Sequence, residues 1–553
     1  MSTIPAMLRA KIERDRHRPY ARVKENGAWR QMDGEDCERN VAAAARWLDE
    51  IGIEPGDRVA ILGPPHPSWT ALDFAILCRG AITVGVYATL TPAQVGWQLR
   101  HSGAKALFVD SPAMLERLAG IEAPELRFRS TWDCPHADGD RAELWERAAQ
   151  VQPGHPAAIV YTSGTTGDPK GAILTHGAIH AVSVTSREAV PLEPGDRAVV
   201  FLPLAHSLQR VTVYRGLLEE VEAWFCPRIE DFLDVVKEAR PSVLASVPRM
   251  LEKIKARIEG EVSRASPTRQ RVFAAAMAVG RERSLCLESG RPLPWWLATR
   301  WAFYDKLVYR KVRAFFGGEL RMFVCGGARL DAEVARFFHG LGVDVMEGWG
   351  LTETSAPATV NRLDAFRFGS VGKALPGTDI RIAEDGEVEV KGPGLFVGYW
   401  NNPAATAESF TPDGYCRTGD VGTLDAEGFL RITDRKKEIL VTAGGKKIPP
   451  VNIEKPLEGG PVGQAVVIGD DRPYLVALFA PDPEVPVEGR DALVRARVDA
   501  LNATLAPFER IKKWAWLPEP LGVENGTLTP TMKLKRRVIA ARYRAVIEGL
   551  YDG

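Results

Sequence analysis

The sequence has no excess of charge of either sign, because lysine plus arginine and aspartate plus glutamate each total 71 residues. Nucleic-acid binding through overall charge is therefore not predicted, and any anion site must be built locally. No stretch reaches the roughly 18 uncharged apolar residues of a membrane span. The first residues, MSTIPAMLRAKIERDRHR, have no signal-peptide core. We expect neither secretion by that route nor a membrane-spanning helix.

Cysteine is scarce, and its pattern gives no pairing. The seven cysteines are odd in number and widely spaced, and no two form a C-x-x-C pair. This argues against a disulfide framework and a cysteine zinc site, and it predicts reduced thiols in a cytoplasmic protein. The cysteines are Cys37, Cys78, Cys134, Cys226, Cys286, Cys325 and Cys416.

The amino-acid composition is typical of a globular protein. A chain of 553 residues with 45% hydrophobic and 26% charged residues is long enough for several cores, so two or more domains are expected. From about residue 41 to 190, helical runs alternate with short apolar strands such as DRVAILGP and AKALFVD. That rhythm returns in RMFVCGG followed by DAEVARFFHGLG. It predicts parallel βαβ units and a large doubly wound α/β body.

The residue pattern of the sequence changes toward the C-terminus. After about residue 392, Gly/Pro/Asp-rich turns separate short strands, which predicts a β-rich, barrel-like region that closes the large body. The tail then combines the strands QAVVIG and YLVALFA with two amphipathic helices. We predict a large N-terminal domain over 1–433 and a small α+β domain over 434–553.

The segment YTSGTTGDPKG is the strongest candidate for chemistry. It follows the buried-strand pattern AAIVY, and its backbone N–H groups can turn toward phosphate. It is not a P-loop, because Lys170 precedes Gly171 where that motif requires Ser or Thr. The predicted phosphate-binding residues are Thr162, Ser163, Gly164, Thr165, Thr166, Gly167 and Lys170.

This segment resembles the signature loop of the adenylate-forming superfamily, which includes acyl-CoA synthetases, luciferases and peptide-synthetase adenylation domains. Further segments match the family in the same order. In GWGLTE, the resemblance implies that Thr352 contacts the α-phosphate of ATP and that Glu353 holds Mg²⁺. A glutamate beside a phosphate site fits a bound cation, since two anions repel each other.

The resemblance also implies the remainder of a nucleotide site. Asp420, in YCRTGD, corresponds to the acceptor for the ribose hydroxyls, and Arg435, in DRKK, lies near the nucleotide. The residues implied to surround the adenine ring are Gly326, Gly327, Ala328, Glu347, Gly348 and Trp349.

The C-terminal motifs imply a mobile domain and a thiol acceptor. Lys437 corresponds to the interdomain hinge, and Gly445, in GGKKI, to the loop that meets the pantetheine arm of CoA. In LTPTMKLKRR, Lys533 matches the mobile catalytic lysine, with Lys535 as the alternative. The implied cofactors and substrates are ATP, Mg²⁺, CoA and a carboxylic acid.

Two segments resemble the corresponding segments of long-chain fatty acyl-CoA synthetases in particular. The segment LPLAHSLQR resembles the one that these enzymes place beside the carboxylate, where His206 would help to close the acyl site. A helical insertion between about residues 255 and 320 is also typical of them. The resemblance therefore favours a medium- or long-chain fatty acid.

Part of that insertion, residues 294–316, allows two interpretations. Its aromatic and basic residues are typical of a helix in a membrane interface. Leu297, Trp301, Tyr304 and Val308 recur at helical spacing, which a buried face explains equally well. Peripheral membrane contact and a packed helix both remain open.

Three other functions compete with a fatty acyl-CoA synthetase. An acyl-AMP ligase would keep adenylation but load a carrier protein or an amine, and CoA-dependent consumption of the acyl-AMP distinguishes it. A silent ATP- or acyl-binding regulator would bind nucleotide without releasing pyrophosphate, although the presence of Lys533, Glu353 and Asp420 argues against it. Luciferase-like oxidation shares the motifs and is tested by light emission.

Overall fold

The computed structural model describes residues 2–162, 169–444, 446–483, 485, 489–529 and 532–552. In these ranges the strands form five sheets. The strands are β1 Pro19–Glu25, β2 Ala28–Asp33, β3 Arg58–Leu62, β4 Ile82–Val86, β5 Ala104–Val109, β6 Phe128–Thr131, β7 Pro156–Thr162, β8 Lys170–Thr175, β9 Asp196–Val200, β10 Val221–Phe225, β11 Val243–Ser246, β12 Met322–Cys325, β13 Asp344–Leu351, β14 Ala356–Val360, β15 Lys373–Ala374, β16 Asp379–Ile382, β17 Glu387–Lys391, β18 Gly398–Tyr399, β19 Cys416–Leu424, β20 Leu430–Arg435, β21 Leu440–Val441, β22 Lys447–Ile448, β23 Val462–Ile468, β24 Leu475–Pro481 and β25 Ile511–Trp516.

The helices mostly begin at capping residues. Asp33 and Asp36 form a capping box at the second helix, and Thr91 and Gln94 form one at the fourth. The helices are α1 Ile4–Arg14, α2 Gly34–Glu50, α3 Pro67–Cys78, α4 Pro92–Ser102, α5 Pro112–Arg117, α6 Arg141–Ala148, α7 His176–Ala189, α8 Ser207–Gly216, α9 Phe232–Ala239, α10 Pro248–Ser263, α11 Pro267–Glu288, α12 Trp295–Tyr304, α13 Arg310–Arg313, α14 Ala332–Gly340, α15 Pro403–Glu408, α16 Val451–Leu457, α17 Arg490–Thr504, α18 Arg536–Arg542 and α19 Arg544–Tyr551.

The first sheet has seven strands in the order β18-β8-β7-β4-β3-β5-β6. Strands β3 to β7 run parallel, whereas β8 returns antiparallel beside β7. Strand β4, ITVGV, is buried along its whole length, as expected for a parallel strand covered on both faces. The βαβ pattern predicted from the sequence is confirmed.

The second sheet has nine strands in the order β15-β14-β13-β12-β11-β9-β10-β1-β2. Helices of the 255–320 insertion and α14 pack on one face, against side chains such as Leu244 and Phe323. Helix α7 contributes Val190, at its C-terminus, to a smaller core on the opposite face, with Val243 and Met346. Alternate residues of the same strands therefore pack into the cores on the two opposite faces of the sheet.

The β-rich region is a four-stranded antiparallel sheet in the order β16-β17-β19-β20. It begins at Asp379, earlier than the position near residue 392 predicted from composition. In its register Asp420 lies directly opposite Arg435. This pairing brings two of the predicted nucleotide residues together.

The C-terminal part has its own cores, built on the sheet β23-β24-β25. The predicted strands QAVVIG and YLVALFA are β23 and β24, but β25, IKKWAW, was not predicted. The last helical segment, predicted as one helix, is divided at Tyr543 into α18 and α19. Arg249 Nη2 donates to the Gly463 carbonyl at 3.1 Å, and Arg329 Nη1 donates to Asn452 Oδ1 at 2.6 Å. These bonds join the two parts of the chain.

The 255–320 insertion is helical, as predicted, with a π-helical turn at Asp305–Tyr309 between α12 and α13. Leu297 and Val308 are buried on its inner face. On the outer face Trp295 is 80% exposed and Phe303 is 62% exposed. The insertion therefore has a packed face and an exposed aromatic face. Over the described residues, no helix combines the length and apolar character needed to cross a bilayer.

Candidate functional site

A single large cavity of about 1950 Å³ collects the predicted site residues from both parts of the chain. Ser163, Gly164, Thr165, Thr166, Gly167 and Gly445 lie outside the described residues. The predicted residues that line the cavity are Thr162, Lys170, His206, Gly326, Gly327, Ala328, Glu347, Gly348, Trp349, Thr352, Glu353, Asp420, Arg435, Lys437, Lys533 and the alternative Lys535.

The hairpin formed by β7 and β8 supplies one wall. Thr162 pairs with Lys170 across the two strands, so the described ends of the signature segment lie side by side. The Lys170 ammonium lies 4.9 Å from the centroid of the Tyr399 ring, a distance suited to a cation–π interaction. The Tyr399 hydroxyl donates to Glu353 Oε1 at 2.6 Å. Tyr399 therefore connects the hairpin lysine to the predicted Mg²⁺ ligand.

Glu353 projects from a short 3-10 turn, Thr352–Thr354, directly after β13. The next two residues, Ser355 and Ala356, have φ angles of 54° and 79°, in the left-handed region that favours glycine. Such backbone strain in a non-glycine pair persists only where surrounding contacts hold it, and it is frequent at ligand sites. Gly350 is required there, because a Cβ at that position would lie 2.2 Å from the Ala356 carbonyl oxygen. The turn fixes the direction of Glu353.

Glu347 lies at the end of the cavity where adenine is predicted. Its side chain is buried, and Oε1 accepts from the Leu330 N–H at 3.1 Å. Oε2 is buried without a partner among the described residues. Burial raises the pKa of Glu347 to about 8, so the carboxyl group is largely protonated at neutral pH. This group can hydrogen-bond to a heterocyclic base as donor or acceptor.

Glycines give a flat ligand access beside Glu347. A Cβ on Gly326 would lie 3.3 Å from the Gly348 carbonyl oxygen, so the two loops approach each other closely. Gly327 has a φ of 85°, which a side chain would oppose. The narrow gap between these loops suits an aromatic ring.

Asp420 is almost fully buried and is held by two donors. Trp349 Nε1 donates to Oδ2 at 2.8 Å, and Arg435 Nε lies 2.6 Å from Oδ1. A carboxylate has about four acceptor positions, so Asp420 can still accept from two hydroxyl groups. Trp349, predicted as a neighbour of adenine, also orients Asp420, and sequence analysis did not find this second role.

Lys533 faces the cavity at its C-terminal wall. Loss of hydration inside the cleft lowers the pKa of Lys533, and the charge of Arg435 lowers it further. The negative charges of Asp420, Glu438 and Glu353 raise the pKa of Lys533. The ammonium group therefore lies among the predicted ribose and metal ligands, where it can stabilise negative charge.

The two candidate lysines are held differently. The backbone N–H of Lys533 donates to Thr529 Oγ1 at 3.0 Å, and its carbonyl accepts from the Thr529 N–H at 2.8 Å. Lys535 is the residue that precedes α18, and its N–H donates to the Thr527 carbonyl. Lys533 is close enough to His206 to lower the pKa of that imidazole. This proximity favours Lys533 as the reactive lysine.

His206 caps the N-terminus of α8. Its Nδ1 accepts from the Leu208 N–H at 3.1 Å, which leaves the ring proton on Nε2. Burial, followed by the charge of Lys533, lowers the pKa of His206 to about 4. At neutral pH the imidazole is therefore a neutral donor toward the cavity, suited to positioning and not to carrying charge.

A buried network of hydrogen bonds and one ion pair holds helix α8 in place. Arg210 pairs with Asp73 and donates from Nε to the Tyr214 hydroxyl at 2.8 Å, and that hydroxyl donates to Asp73 at 2.6 Å. All three side chains are buried. Since Arg210 is one turn beyond the cap, the network fixes the end of the helix that carries His206.

The donor set fits Mg²⁺ held partly by a substrate. Among the described residues, no group of three or more His, Cys, Asp or Glu side chains could hold a metal alone. Mg²⁺ is commonly bound through one or two carboxylates together with substrate phosphates, and Glu353 beside the β7–β8 hairpin suits that arrangement.

The segment at the predicted hinge is tied by a neighbour of Lys437. Lys437 is exposed, whereas Lys436 Nζ lies 2.5 Å from Asp385 and 2.8 Å from Glu387. Farther along, Arg536 forms a bidentate ion pair with Glu454, with both distances 2.6 Å. The first set of pairs crosses from the body to the segment after β20, and the second lies within the C-terminal part.

Comparisons with known proteins agree with this architecture. A family model described as AMP-binding enzyme matches residues 9–400, and one described as AMP-binding enzyme C-terminal domain matches residues 437–553. The long-chain-fatty-acid–CoA ligase FadD15 of Mycobacterium tuberculosis is 38% identical, over 95% of this chain and 93% of that protein. The long-chain-fatty-acid–CoA ligase ACSBG1 of Homo sapiens is 29% identical, over 92% and 80% respectively.

Solved structures share the fold. ATP-bound MatB from Rhodopseudomonas palustris superposes with a TM-score of 0.73 at 23% identity, covering 99% of this chain and 100% of that one. A fatty acyl CoA synthetase of Mycobacterium tuberculosis gives a TM-score of 0.65 at 23% identity, with 98% and 99% covered. The mixed α/β architecture predicted from the sequence is therefore confirmed.

Proposed function

The chain belongs to the AMP-binding enzyme family, and from this premise we propose that it is a fatty acyl-CoA synthetase that uses ATP and releases AMP and pyrophosphate. One observation supports this function above all. A polar region with Glu353, Asp420 and Lys533 continues into an apolar tunnel in the same cavity. The relatives named as long-chain-fatty-acid–CoA ligases support the same substrate class.

The tunnel runs between α8 and the nine-stranded sheet. Ala21, Ala223 and Ala198 lie side by side across β1, β10 and β9, and Ala198 and Ala223 line the cavity. Small side chains in register leave a groove across the strands. An aliphatic chain in this groove would be largely removed from water, which favours a fatty acid over a short polar acid.

In the first step a carboxylate oxygen attacks the α-phosphorus of ATP, a new C–O–P bond forms and the bond to pyrophosphate breaks. No protein nucleophile is needed, so positioning and charge neutralisation provide the catalysis. Lys533 neutralises the reacting oxygens, Lys170 the departing phosphates, and Asp420 holds the ribose. Glu353 would hold Mg²⁺, which would supply further charge neutralisation.

His206 positions the acyl carboxylate in this scheme. His206 lines the cavity, and its ring proton is on Nε2 because Nδ1 accepts from the Leu208 N–H. A neutral donor can hold one carboxylate oxygen without competing for the proton, which leaves the other oxygen to attack.

In the second step the CoA thiol attacks the acyl-adenylate carbonyl and AMP leaves. We propose that the C-terminal part turns about Lys437, which removes Lys533 and brings the loop containing Gly445 to the site. This movement requires the bonds of Arg249 to Gly463 and of Arg329 to Asn452 to open. Cations that line the cavity between the two parts suit the phosphates of CoA: Arg249, Lys253, Arg329 and Lys455.

Pyrophosphate release with Mg²⁺ and ATP, measured over acids from acetate to octadecanoate with and without CoA, tests the proposal. We expect CoA-dependent turnover that is greatest on a fatty acid. A single burst that CoA does not change would indicate an acyl-AMP ligase instead. Nucleotide binding without pyrophosphate release would indicate a silent regulator.

Glu347 gives a prediction about pH. Burial raises its pKa to about 8 in the folded chain, from the ordinary glutamate value of 4.5, so its contribution to the free energy of unfolding falls as pH rises between those values. Glu347→Gln removes this dependence. We expect the variant to gain stability relative to wild type between pH 5.5 and pH 8, by on the order of 2 kcal/mol, in urea unfolding.

The control for this experiment is Glu384→Gln, which neutralises an exposed glutamate. It should follow the wild-type pH curve. If Glu347→Gln and wild type also give parallel curves, the carboxyl group is not protonated in the folded protein.

We further propose that the outer face of the insertion contacts anionic membranes. Trp296, Arg300, Phe303 and Leu307 follow helical spacing, and all four are exposed. Exposed cations adjoin them: Lys306, Arg310 and Lys311. Aromatic residues flanked by cations match an interface with anionic lipid. Such contact is compatible with a cytoplasmic enzyme, for which the seven unpaired cysteines are the support.

Vesicle cosedimentation tests the membrane face. Replacing both Trp296 and Phe303 by serine should weaken binding to phosphatidylserine-containing vesicles about ten-fold, since two large apolar side chains lose their burial in lipid. Phe508→Ser, at an exposed aromatic residue of the C-terminal part, is the control and should bind like wild type. Equal binding by all three proteins would refute the proposed face.

A further inference from the structure

Strand β19 carries a bulge at the predicted ribose ligand. Glu387 of β17 pairs with Val421 of β19, and Glu389 pairs with Arg417. The paired residues are two positions apart on β17 but four positions apart on β19. The extra residues of β19 belong to the stretch that ends at Asp420. A bulge bends its strand and re-aims a side chain, so the direction of Asp420 depends on this irregularity.

The backbone groups inside the bulge have side-chain or cross-strand partners. The Gly419 N–H donates to Glu387 Oε1 at 2.8 Å, and the Asp420 N–H donates to Thr418 Oγ1 at 3.1 Å. The Gly419 carbonyl accepts from the Lys436 N–H at 2.8 Å. Gly419 has a φ of 69°, in the left-handed region that favours glycine. Because a partly buried N–H needs an acceptor, the Glu387 carboxylate takes the place of the ladder partner that the bulge removes.

The second oxygen of Glu387 holds the neighbouring strand. Lys436 Nζ donates to Glu387 Oε2 at 2.8 Å, and Glu387 is only 7% exposed. Lys436 directly follows Arg435, whose Nε lies 2.6 Å from Asp420 Oδ1. One carboxylate therefore contacts the residue before Asp420 on β19 and the residue after Arg435 on β20. A network of polar groups withdrawn from water restricts the orientation of its members.

Glu387 acts through these neighbours and does not hold the nucleotide itself. It lines the cavity, but each of its two oxygens already accepts from a donor of the chain. Asp420, by contrast, has acceptor positions left for two ribose hydroxyls beside its bonds to Trp349 and Arg435. A shift of Gly419 would move the adjoining backbone of Asp420, and with it the direction of both remaining acceptor positions.

We infer that Glu387 is a positioning residue for the ribose of ATP, and that it acts through its hydrogen bond to the Gly419 N–H. The ion pair with Lys436 keeps the carboxylate in place for this bond. The inference rests on the proposed ATP-dependent function and adds a residue to its nucleotide site.

The test compares ATP with 2′,3′-dideoxy-ATP, which lacks both ribose hydroxyls and is therefore insensitive to the direction of Asp420. CoA-dependent pyrophosphate release, with the fatty acid that is turned over fastest, gives kcat/KM for each nucleotide. In wild type we expect ATP to be preferred about a hundred-fold, because the analogue lacks two hydrogen bonds to a charged acceptor. The ratio is measured within one protein, so the folded fraction of a variant cancels.

Two variants separate the reach of the Glu387 side chain from its charge. Glu387→Asp is shorter by one C–C bond, about 1.5 Å, so it keeps a carboxylate beside Lys436 that no longer reaches the Gly419 N–H. The preference for ATP should fall about ten-fold, mainly through a higher KM for ATP. Glu387→Gln keeps an oxygen that can accept from Gly419, and it should hold the preference within about three-fold of wild type.

Asp385→Asn is the matched control. Asp385 also pairs with Lys436, at 2.5 Å, but its side chain is 52% exposed and no hydrogen bond joins it to Gly419 among the described residues. This variant should keep the wild-type ratio. Asp420→Ala is the reference, in which the preference for ATP is lost. Adding Glu387→Asp to it should lower the ratio no further, since a positioning residue has no effect once the group that it positions is absent.

An unchanged ratio in Glu387→Asp would overturn the inference. A fall in Glu387→Gln as large as that in Glu387→Asp would also overturn it, since loss of the charge beside Lys436 would then be sufficient. Equal use of ATP and the dideoxy analogue by wild type would refute the role of Asp420 and the inference, but it would leave the synthetase function intact. If no acid is turned over with ATP, the proposed function fails and the inference with it.

Discussion

Lys533→Ala lowers the rate of acyl-adenylate formation about a thousand-fold and leaves the reaction of supplied acyl-AMP with CoA within about three-fold of wild type. The reason is the position of the ammonium group near Asp420, Glu353 and His206, where it would neutralise the charge that develops during adenylation. In the proposed second step the C-terminal part turns, so the lysine would no longer face the reacting atoms. Fatty-acid-dependent ATP–pyrophosphate exchange measures the first reaction, and AMP release from synthetic acyl-AMP measures the second.

Lys535→Ala is the matched control for this experiment, since Lys535 also lines the cavity and is only two residues away. It should retain adenylation within several-fold of wild type. Equal losses in both half-reactions of Lys533→Ala would contradict the proposed domain movement. A larger loss of adenylation in Lys535→Ala would transfer the catalytic role to that residue.

The sequence was sufficient to predict the architecture where local patterns dominate. Strands such as RVAIL and ITVGV are short, mostly apolar runs between helices, and that pattern is typical of strands that are buried on both faces. Strand β25 was missed because IKKWAW interrupts its apolar residues with two lysines and pairs with β24, more than 30 positions away in the chain. The order of the nine-stranded sheet likewise depends on long-range pairing, which no local pattern encodes.

The same distinction applies to the candidate site. Motif order alone predicted which residues meet in the cavity, and the described ones all line it. Motif order did not predict the side-chain hydrogen bonds that orient these residues. Tyr399 donates a hydrogen bond to Glu353, which is 46 positions away in the chain, and Trp349 donates one to Asp420, which is 71 positions away. Each contact depends on the register of strands from different sheets, so neither residue type nor spacing could indicate it.

Glu353→Gln should reduce adenylation roughly a hundred-fold and weaken its dependence on Mg²⁺, because the amide keeps the shape of the side chain but loses the charge that a divalent cation requires. Titrating Mg²⁺ at fixed ATP in the pyrophosphate assay measures both effects. The apparent Mg²⁺ affinity should fall, whereas the KM for the fatty acid should change little, since the acyl tunnel lies beyond His206.

Tyr399→Phe is the companion variant, since it removes the 2.6 Å hydrogen bond to Glu353 but keeps the ring beneath the Lys170 ammonium. Loss of one orienting bond should lower adenylation only several-fold, with the charge of Glu353 intact. If Glu353→Gln retained the wild-type Mg²⁺ titration, the cation would have to be held by the phosphates without Glu353. The strained turn at Ser355 and Ala356 would then serve the Tyr399 contact alone, and the two variants would have equal effects.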